Sequence, residues 1–270
     1  MTHTRRDLTA LLENHGLHPS RALGQNFVVD PNTVRRIARL SRVGEGDVVI
    51  EIGAGLGSLT LALIETGAEV IAIEVDRYLL DALRESVEPA ARVVHADALT
   101  ADFSDLLAGR GAVVVANLPY NVATPLVLRL LEEVPEITRM LVMVQREVGE
   151  RLAAGAGDEA YGAVSVRVAY FATARVVGHV GPAVFLPRPR VESALVEIVR
   201  RPAVAIDPAV VAEADLFEVV RTAFGQRRKM LRRSLAAWAS EGVFERAQLD
   251  PTRRPEELTL EEFARLAAAR

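Results

Sequence analysis

Five short segments of this chain are apolar on both faces, and stretches with helical character separate them. The segments are DVVIEIG (Asp47 to Gly53), EVIAIEVD (Glu69 to Asp76), RVVHAD (Arg92 to Asp97), AVVVANL (Ala112 to Leu118) and RMLVMVQ (Arg139 to Gln145). A strand with no polar face must be covered on both sides, and strands that alternate with helices in this way pair in parallel. The pattern therefore predicts an α/β fold, a Rossmann-like sheet with helices on both faces. Helices are expected over Ser58 to Glu65, Arg77 to Val87 and Thr124 to Glu133. Near the N-terminus, Thr4 to Asp7 resembles a capping box that opens a helix ending near Gly16, and a second helix is expected from Pro31 to Leu40. Two later strands, near Ser165–Thr173 and Ala194–Arg200, are expected to complete the sheet. After Pro202 the pattern is helical only. The expected division is a sheet domain over residues 1–203 and a small helical domain over residues 204–270.

Open parallel sheets keep their ligands at the carboxyl ends of the strands, so the residues there carry the functional argument. Gly53, Gly55 and Gly57 lie between the first strand and its helix, where glycine lets the backbone approach a ligand closely. A dinucleotide fingerprint would require G-x-G-x-x-G, but Ser58 stands where the third glycine belongs. That disfavours a pyrophosphate. Glu51, two residues before Gly53, suits a ligand that carries a cation and no phosphate, such as S-adenosylmethionine. Glu74 ends the second strand, where a carboxylate can accept both hydroxyls of a ribose. Asp97 ends the third, where it can accept from an adenine amino group. The alternative is an ordinary tight strand–helix turn. Acidic residues ending two successive strands argue for the cofactor site.

The fourth strand runs into Asn117-Leu118-Pro119-Tyr120. An exocyclic adenine amine is a weak nucleophile because its lone pair is delocalised into the ring. Two acceptors for its N–H bonds, the Asn117 side-chain oxygen and the Leu118 carbonyl, would favour a pyramidal nitrogen. Pro119 would stiffen the turn, and Tyr120 would offer a face on which a flipped base can stack. The alternative is a type I turn built from common turn formers.

Bulk properties narrow the class. The chain has 270 residues and no cysteine, which excludes disulfides, thiolate metal sites and a cysteine nucleophile. No apolar run approaches the ~18 residues of a membrane span. The polar N-terminus lacks the apolar core of a secretory signal, and a cytoplasmic enzyme is expected. The five histidines show no ligand spacing, so no metal is expected. The net charge of −4 conceals a local reversal. Between Phe224 and Leu235 lie Arg227, Arg228, Lys229, Arg232 and Arg233, with no acidic residue. Such a run is usually a solvated face; on a helix of the small domain, with part of it turned inward, it would also serve as a phosphate-binding strip for folded RNA.

The motifs LGQNFVVD (Leu23 to Asp30), EIGAGLGSLT, IEVD, NLPYNVATPL, VQREVGERL, YGAVSV, FLPRPRVESALV and RTAFGQRRKMLRRSL occur in this order from about residue 20 to 238. The series resembles that of the small-subunit ribosomal RNA adenine N6-dimethyltransferases, the KsgA family. The resemblance implies an S-adenosylmethionine-dependent enzyme acting on 16S rRNA within the assembling small ribosomal subunit. There it would place four methyl groups on two adjacent adenosines of a hairpin loop near the RNA 3′ end. It assigns Asn26, Val28, Gly53, Glu74, Asp97 and Asn117 to the cofactor and suggests that Phe185 packs on the target adenine opposite Tyr120. Departures are mild: Val28 stands where leucine is commoner and Glu192 where aspartate is common. A monomer is expected. Three other functions compete. A 23S rRNA adenine dimethyltransferase would share the catalytic half but should lack the AFGQRRKMLRRSL pattern, and such enzymes often carry isoleucine where Leu118 stands. A non-catalytic assembly factor would not need Glu51, Glu74, Asp97 and NLPY. A dehydrogenase is disfavoured by Ser58 and by the lack of a catalytic histidine or Tyr-Lys pair.

Overall fold

Residues that are buried on both faces of a strand can be satisfied only in the middle of a layered structure, and four of the five segments lie there; the fifth, Arg92 to Asp97, forms the edge strand and is only partly covered. The computed structural model describes every residue except Met1, Arg21, Ala22 and Tyr120. In chain order the elements are α1 (Arg5–Asn14), β1 (Phe27–Val28), α2 (Pro31–Ser41), β2 (Val48–Ile52), α3 (Ser58–Ile64), β3 (Glu69–Glu74), α4 (Leu80–Val87), β4 (Arg92–His95), α5 (Phe103–Leu107), β5 (Ala112–Asn117), α6 (Ala123–Glu133), β6 (Ile137–Gln145) and α7 (Arg146–Ala153). They continue with α8 (Ala163–Phe171), β7 (Ala172–Val180), β8 (Phe185–Leu186), β9 (Ser193–Arg200), α9 (Glu213–Phe224), α10 (Leu231–Ser234), α11 (Val243–Arg246) and α12 (Leu260–Ala268).

The main sheet has seven strands in the order β4-β3-β2-β5-β6-β9-β7. From β4 to β6 every pairing is parallel, and β9 runs antiparallel to β6. This is the Rossmann-like sheet that the sequence predicts. Ile50, Ile71 and Val114 are fully buried, as strands covered on both faces require. The chain moves outward in one direction from β2 to β3 and β4, then in the other through β5 and β6. The carboxyl ends of β2 and β5 are neighbours at that reversal, so the fold opens a crevice between them. The α1 capping box forms as the sequence requires: the Thr4 and Asp7 side chains each accept from the other's backbone N–H. Asp30 caps α2, accepting from the Thr33 N–H at 2.9 Å, with Pro31 in the first turn.

The chain divides into two compact units. One is Met1–Gly149 with Val176–Val199; the other is Glu150–Arg175 with Arg200–Arg270. The second unit starts close to the expected boundary near residue 203 but also includes Glu150–Arg175, which a division by sequence order assigns to the sheet domain. Within that piece lies one clear correction. Ser165–Thr173 is not a strand. It is mostly helix α8, and the strand, β7, begins only at Ala172. The run AVSVRVAYF is apolar almost throughout, and a short run of that kind reads the same as a buried strand or a buried helix. What decides is capping and cover. The Gly162 N–H donates to Ser165 Oγ at 3.1 Å, and that hydroxyl donates to the Arg151 carbonyl at 2.6 Å.

The second unit has an aromatic core. Tyr161 packs edge-on to Phe224, and Phe224 packs against Phe263, each with ring centroids 5.8 Å apart. Tyr161 is buried, and its hydroxyl donates to the Leu258 carbonyl at 2.9 Å. Tyr161→Phe keeps the ring but strands that acceptor, so it should lower stability by about 1–2 kcal/mol. Urea unfolding of the two proteins measures the difference.

Candidate functional site

The crevice holds two adjoining cavities that share Leu23, Gly53, Val75 and Pro119 in their walls. The sequence places four segments there, and hydrogen bonds lock them together. The glycine loop follows β2. Gly55 has φ +59, and an added Cβ would lie 2.9 Å from the Phe27 ring; Gly57 has φ +85, and its Cβ would lie 2.7 Å from Val87 Cγ1. Both positions therefore require glycine on two counts, conformation and space. The Gly55 N–H donates to Glu74 Oε2 at 2.8 Å, and the other Glu74 oxygen accepts from the Asp76 N–H at 2.9 Å.

Asp76 in turn accepts from the Gln25 side-chain amide at 2.8 Å, and Gln25 Oε1 accepts from the Ser20 N–H at 2.7 Å. This draws the LGQN segment over the crevice. Gly24 lies against Pro119: a Cβ on it would sit 3.3 Å from the proline Cβ. Asn26 donates to the Gly24 carbonyl, and its own backbone carbonyl accepts from Asn117 Nδ2 at 3.0 Å. That bond orients the Asn117 amide so that Oδ1, not Nδ2, is left for a ligand; the assignment follows from the bonding pattern. Val28 lines the same cavity from β1 and is buried.

The electrostatics are one-sided. Glu51, Glu74 and Asp97 line the two cavities, and no arginine or lysine does among the described residues. Glu51 is 2 % exposed, and its Oε2 has no hydrogen-bond partner among the described residues. Burial pushes its carboxyl up to about 8; the Glu74 carboxylate adds to the rise, and the neighbouring Thr60 hydroxyl and N–H oppose it. The Glu74 carboxyl is also raised by burial, with the two backbone N–H bonds working against the shift. Asp97 lies two residues beyond the end of β4 and is exposed; its Oδ1 accepts from the Leu99 N–H at 2.8 Å. Arg129 steadies that loop, donating to the Ala98 and Ala101 carbonyls at 2.6 and 2.8 Å.

The structure thus brings together Asn26, Val28, Glu51, Gly53, Gly55, Glu74, Asp97, Asn117, Leu118 and Pro119. Tyr120 lies outside the described residues. Phe185 is not at the crevice. It is 1 % exposed inside the hydrophobic core and lines neither cavity. Its backbone pairs with Val28 through the β1–β8 ladder. A large ring on a two-residue strand satisfies itself by burial, and here the Phe185 ring packs into the core. Glu192, in that loop, pairs with Arg146 at 3.2 Å.

The basic run also departs from expectation. It is not on one helix: α9 ends at Phe224, Arg227 to Lys229 lie in a turn, and only Arg232 and Arg233 fall in the short α10. None of the five cations faces inward. All are exposed, and it is Leu231 and Leu235 that are buried. Arg227 has a local task, since its guanidinium donates to the Glu159 carbonyl. Sequence reasoning missed Gln25 and Arg129. Their partners lie far along the chain, and no local pattern pairs them.

No group of three or more potential metal-binding side chains occurs among the described residues, and no helix there is long and apolar enough to cross a membrane.

Comparison with known proteins decides the family. Residues 17–269 match the ribosomal RNA adenine dimethylase family. The chain belongs to that family. A relative from Thermobifida fusca (strain YX), the "Ribosomal RNA small subunit methyltransferase A", is 47% identical over 99% of this chain and 96% of its own length. The protein of the same name from Streptomyces coelicolor is 46% identical over 97% of this chain and 93% of its own. Among solved structures, a dimethyladenosine transferase from Plasmodium falciparum superposes with a TM-score of 0.74 at 22% identity, over 88% of this chain and 94% of that one. The 23S rRNA methyltransferase ErmE does so with a TM-score of 0.71 at 25% identity, over 90% and 98%. The fold of this chain is therefore shared with both.

The raised Glu51 carboxyl has a measurable consequence in this dimethylase. A carboxyl whose folded pKa lies above its unfolded value holds its proton more tightly when folded. Stability then falls as pH rises from about 4.5, the unfolded value, through about 8, the folded one, and levels off above. Glu51→Gln should remove that decline, so the variant should gain on the parent protein across this window. Urea unfolding at a series of pH values measures it. A cationic ligand placed against Oε2 should release the proton, making the heat of binding near pH 7 depend on the ionisation enthalpy of the buffer.

Proposed function

We propose that this dimethylase transfers methyl groups from S-adenosylmethionine to the N6 amines of two adjacent adenosines in the 3′-terminal hairpin loop of 16S rRNA, on the assembling small subunit. The observation that carries the reading is the acidic crevice at the sheet's reversal point, which no arginine or lysine lines among the described residues. A phosphate-bearing cofactor would be repelled there, whereas a nucleoside with a cationic tail is attracted. The residues fit the cofactor. The unpaired Glu51 oxygen would take the ammonium, the second lone pairs of Glu74 the ribose hydroxyls, and Asp97 the adenine amino group. Bound S-adenosylmethionine supplies an electrophilic methyl group.

The chain's own residues prepare the acceptor. Asn117 Oδ1, oriented by the bond to Asn26, would accept one N–H of the target amine, and the Leu118 carbonyl the other. Holding both N–H bonds turns the nitrogen lone pair out of conjugation and toward the methyl carbon. The carbon–nitrogen bond then forms as the carbon–sulfur bond breaks, and the proton leaves the cationic amine for water. No strong base is needed. We assign the stacking of the flipped base to Tyr120. The exposed basic turn would hold RNA phosphates, and the small subunit is favoured over the large by the names of the relatives at 46–47% identity.

Tritiated S-adenosylmethionine with undermethylated small subunits, large subunits and naked RNA tests the reading; label is expected on the small subunit alone. In that assay Asn117→Ala should reduce turnover by ~10²–10³ while leaving RNA binding near the parent value, because it removes one preorganised acceptor at the reacting nitrogen.

The basic turn gives a separate expectation. Replacing Arg228, Lys229 and Arg233 by glutamine should weaken small-subunit binding. It should also make the slope of log affinity against log salt shallower by about 0.7–0.9 for each phosphate no longer neutralised. Arg227→Gln should instead lower the melting temperature, since its guanidinium is committed to the Glu159 carbonyl.

A further inference from the structure

Tyr78 is the only aromatic ring among the exposed large apolar residues of the described chain, at 65 % exposure. Burying such a ring is worth a good deal, and a folded chain leaves one in water only where nothing nearby can cover it or something else will. Here the ring is held ready. The Arg77 guanidinium lies over it, 4.7 Å from the centroid, and donates to the phenol oxygen at 2.7 Å. The Tyr78 N–H donates to Asp76 Oδ1 at 3.0 Å, while Asp76 Oδ2 is held by Gln25. The ring therefore stands on the same turn that secures the LGQN segment over the crevice. Two further exposed apolar residues, Val75 at 47 % and Leu23 at 37 %, belong to these same two segments, and both line the two cavities. An apolar rim thus runs from the crevice to an aromatic ring with a cation on one face and an open second face.

We propose that Tyr78, backed by Arg77, is a stacking platform for an unpaired RNA base that flanks the target adenosine. The proposal rests on the RNA-methyltransferase reading above. A flipped adenosine leaves its neighbours unstacked at the crevice mouth, and any base can stack on an aromatic face because every base has a π surface. The guanidinium adds attraction for the ring and for the adjoining phosphate. Tyr78 acts at a distance from the reacting atoms and is a positioning residue. It should govern how well the RNA is held and not the rate once it is in place.

The test is methyl transfer to undermethylated small subunits by the full-length protein and three variants. Tyr78→Ala should raise KM for the subunit on the order of tenfold, the scale of removing one base stack. Saturating kcat and the affinity for S-adenosylmethionine, measured by calorimetry, should be unchanged. Tyr78→Phe and Tyr78→Trp should retain the parent KM, because the face and not the hydroxyl carries the interaction. A KM for Tyr78→Ala within twofold of the parent overturns the platform, as does a loss in Tyr78→Phe equal to that in Tyr78→Ala. So does a Tyr78→Ala variant whose affinity for the cofactor falls, which would make the ring part of the cofactor rim. If instead the unmodified protein fails to label small subunits, the functional reading and the platform fall together.

Discussion

The Glu74 carboxylate is the interaction on which the rest of the site depends. It is buried at the end of a central strand, where an unpaired charge would be costly. It is satisfied by two backbone N–H groups from opposite directions, Gly55 in the glycine loop and Asp76 in its own following turn. Those two bonds set the distance between the ends of β2 and β3. They also begin a chain of bonds that runs from Asp76 to Gln25 and Ser20, so the segment over the crevice is placed by the same carboxylate. Asn26 then passes the constraint to Asn117. One acidic residue thus couples the glycine-loop side of the crevice to the Asn117 side.

Charge is distributed unevenly over the molecule, and each part has its own use. Among the described residues the crevice is lined with carboxylates and no cations, which is unsuited to a phosphate and suited to a ligand with a positive tail. Within the second unit the opposite holds. Four arginines and one lysine project from a turn and a short helix with no acid among them. A net charge of −4 describes neither region. The basic turn is held in shape by apolar side chains, Leu231 and Leu235, and by Arg227 bonding to the Glu159 carbonyl, so the cations are solvated while their scaffold is buried.

Much of the fold was legible because its signals are local and strong. Strands apolar on both faces, a capping box at Thr4, a proline after Asp30 and three glycines after β2 each state their own geometry within a few residues. The convergence of Glu51, Glu74, Asp97 and Asn117 on one crevice was legible for the same reason, since strand ends in a parallel sheet meet there. The failures share the opposite property. Ser165–Thr173 is apolar almost throughout, so periodicity did not separate strand from helix, and the helix was decided by Gly162, Ser165 and Arg151. Phe185 lies in a short motif that reads as a binding loop, but its position was decided by pairing with β1, over 150 residues away in sequence.

The sequence by itself determined the layered α/β fold, the run of strands, the glycine turn and the family, because each rests on residue types at fixed spacing. Tertiary structure alone decided which amide atom of Asn117 is left for a ligand, which residues clamp Asp76, that Phe185 is buried, and that Glu150–Arg175 belongs with the second unit. These depend on hydrogen bonds and burial between residues far apart in the chain. Such interactions exist only once the strands have paired, and no local pattern encodes them.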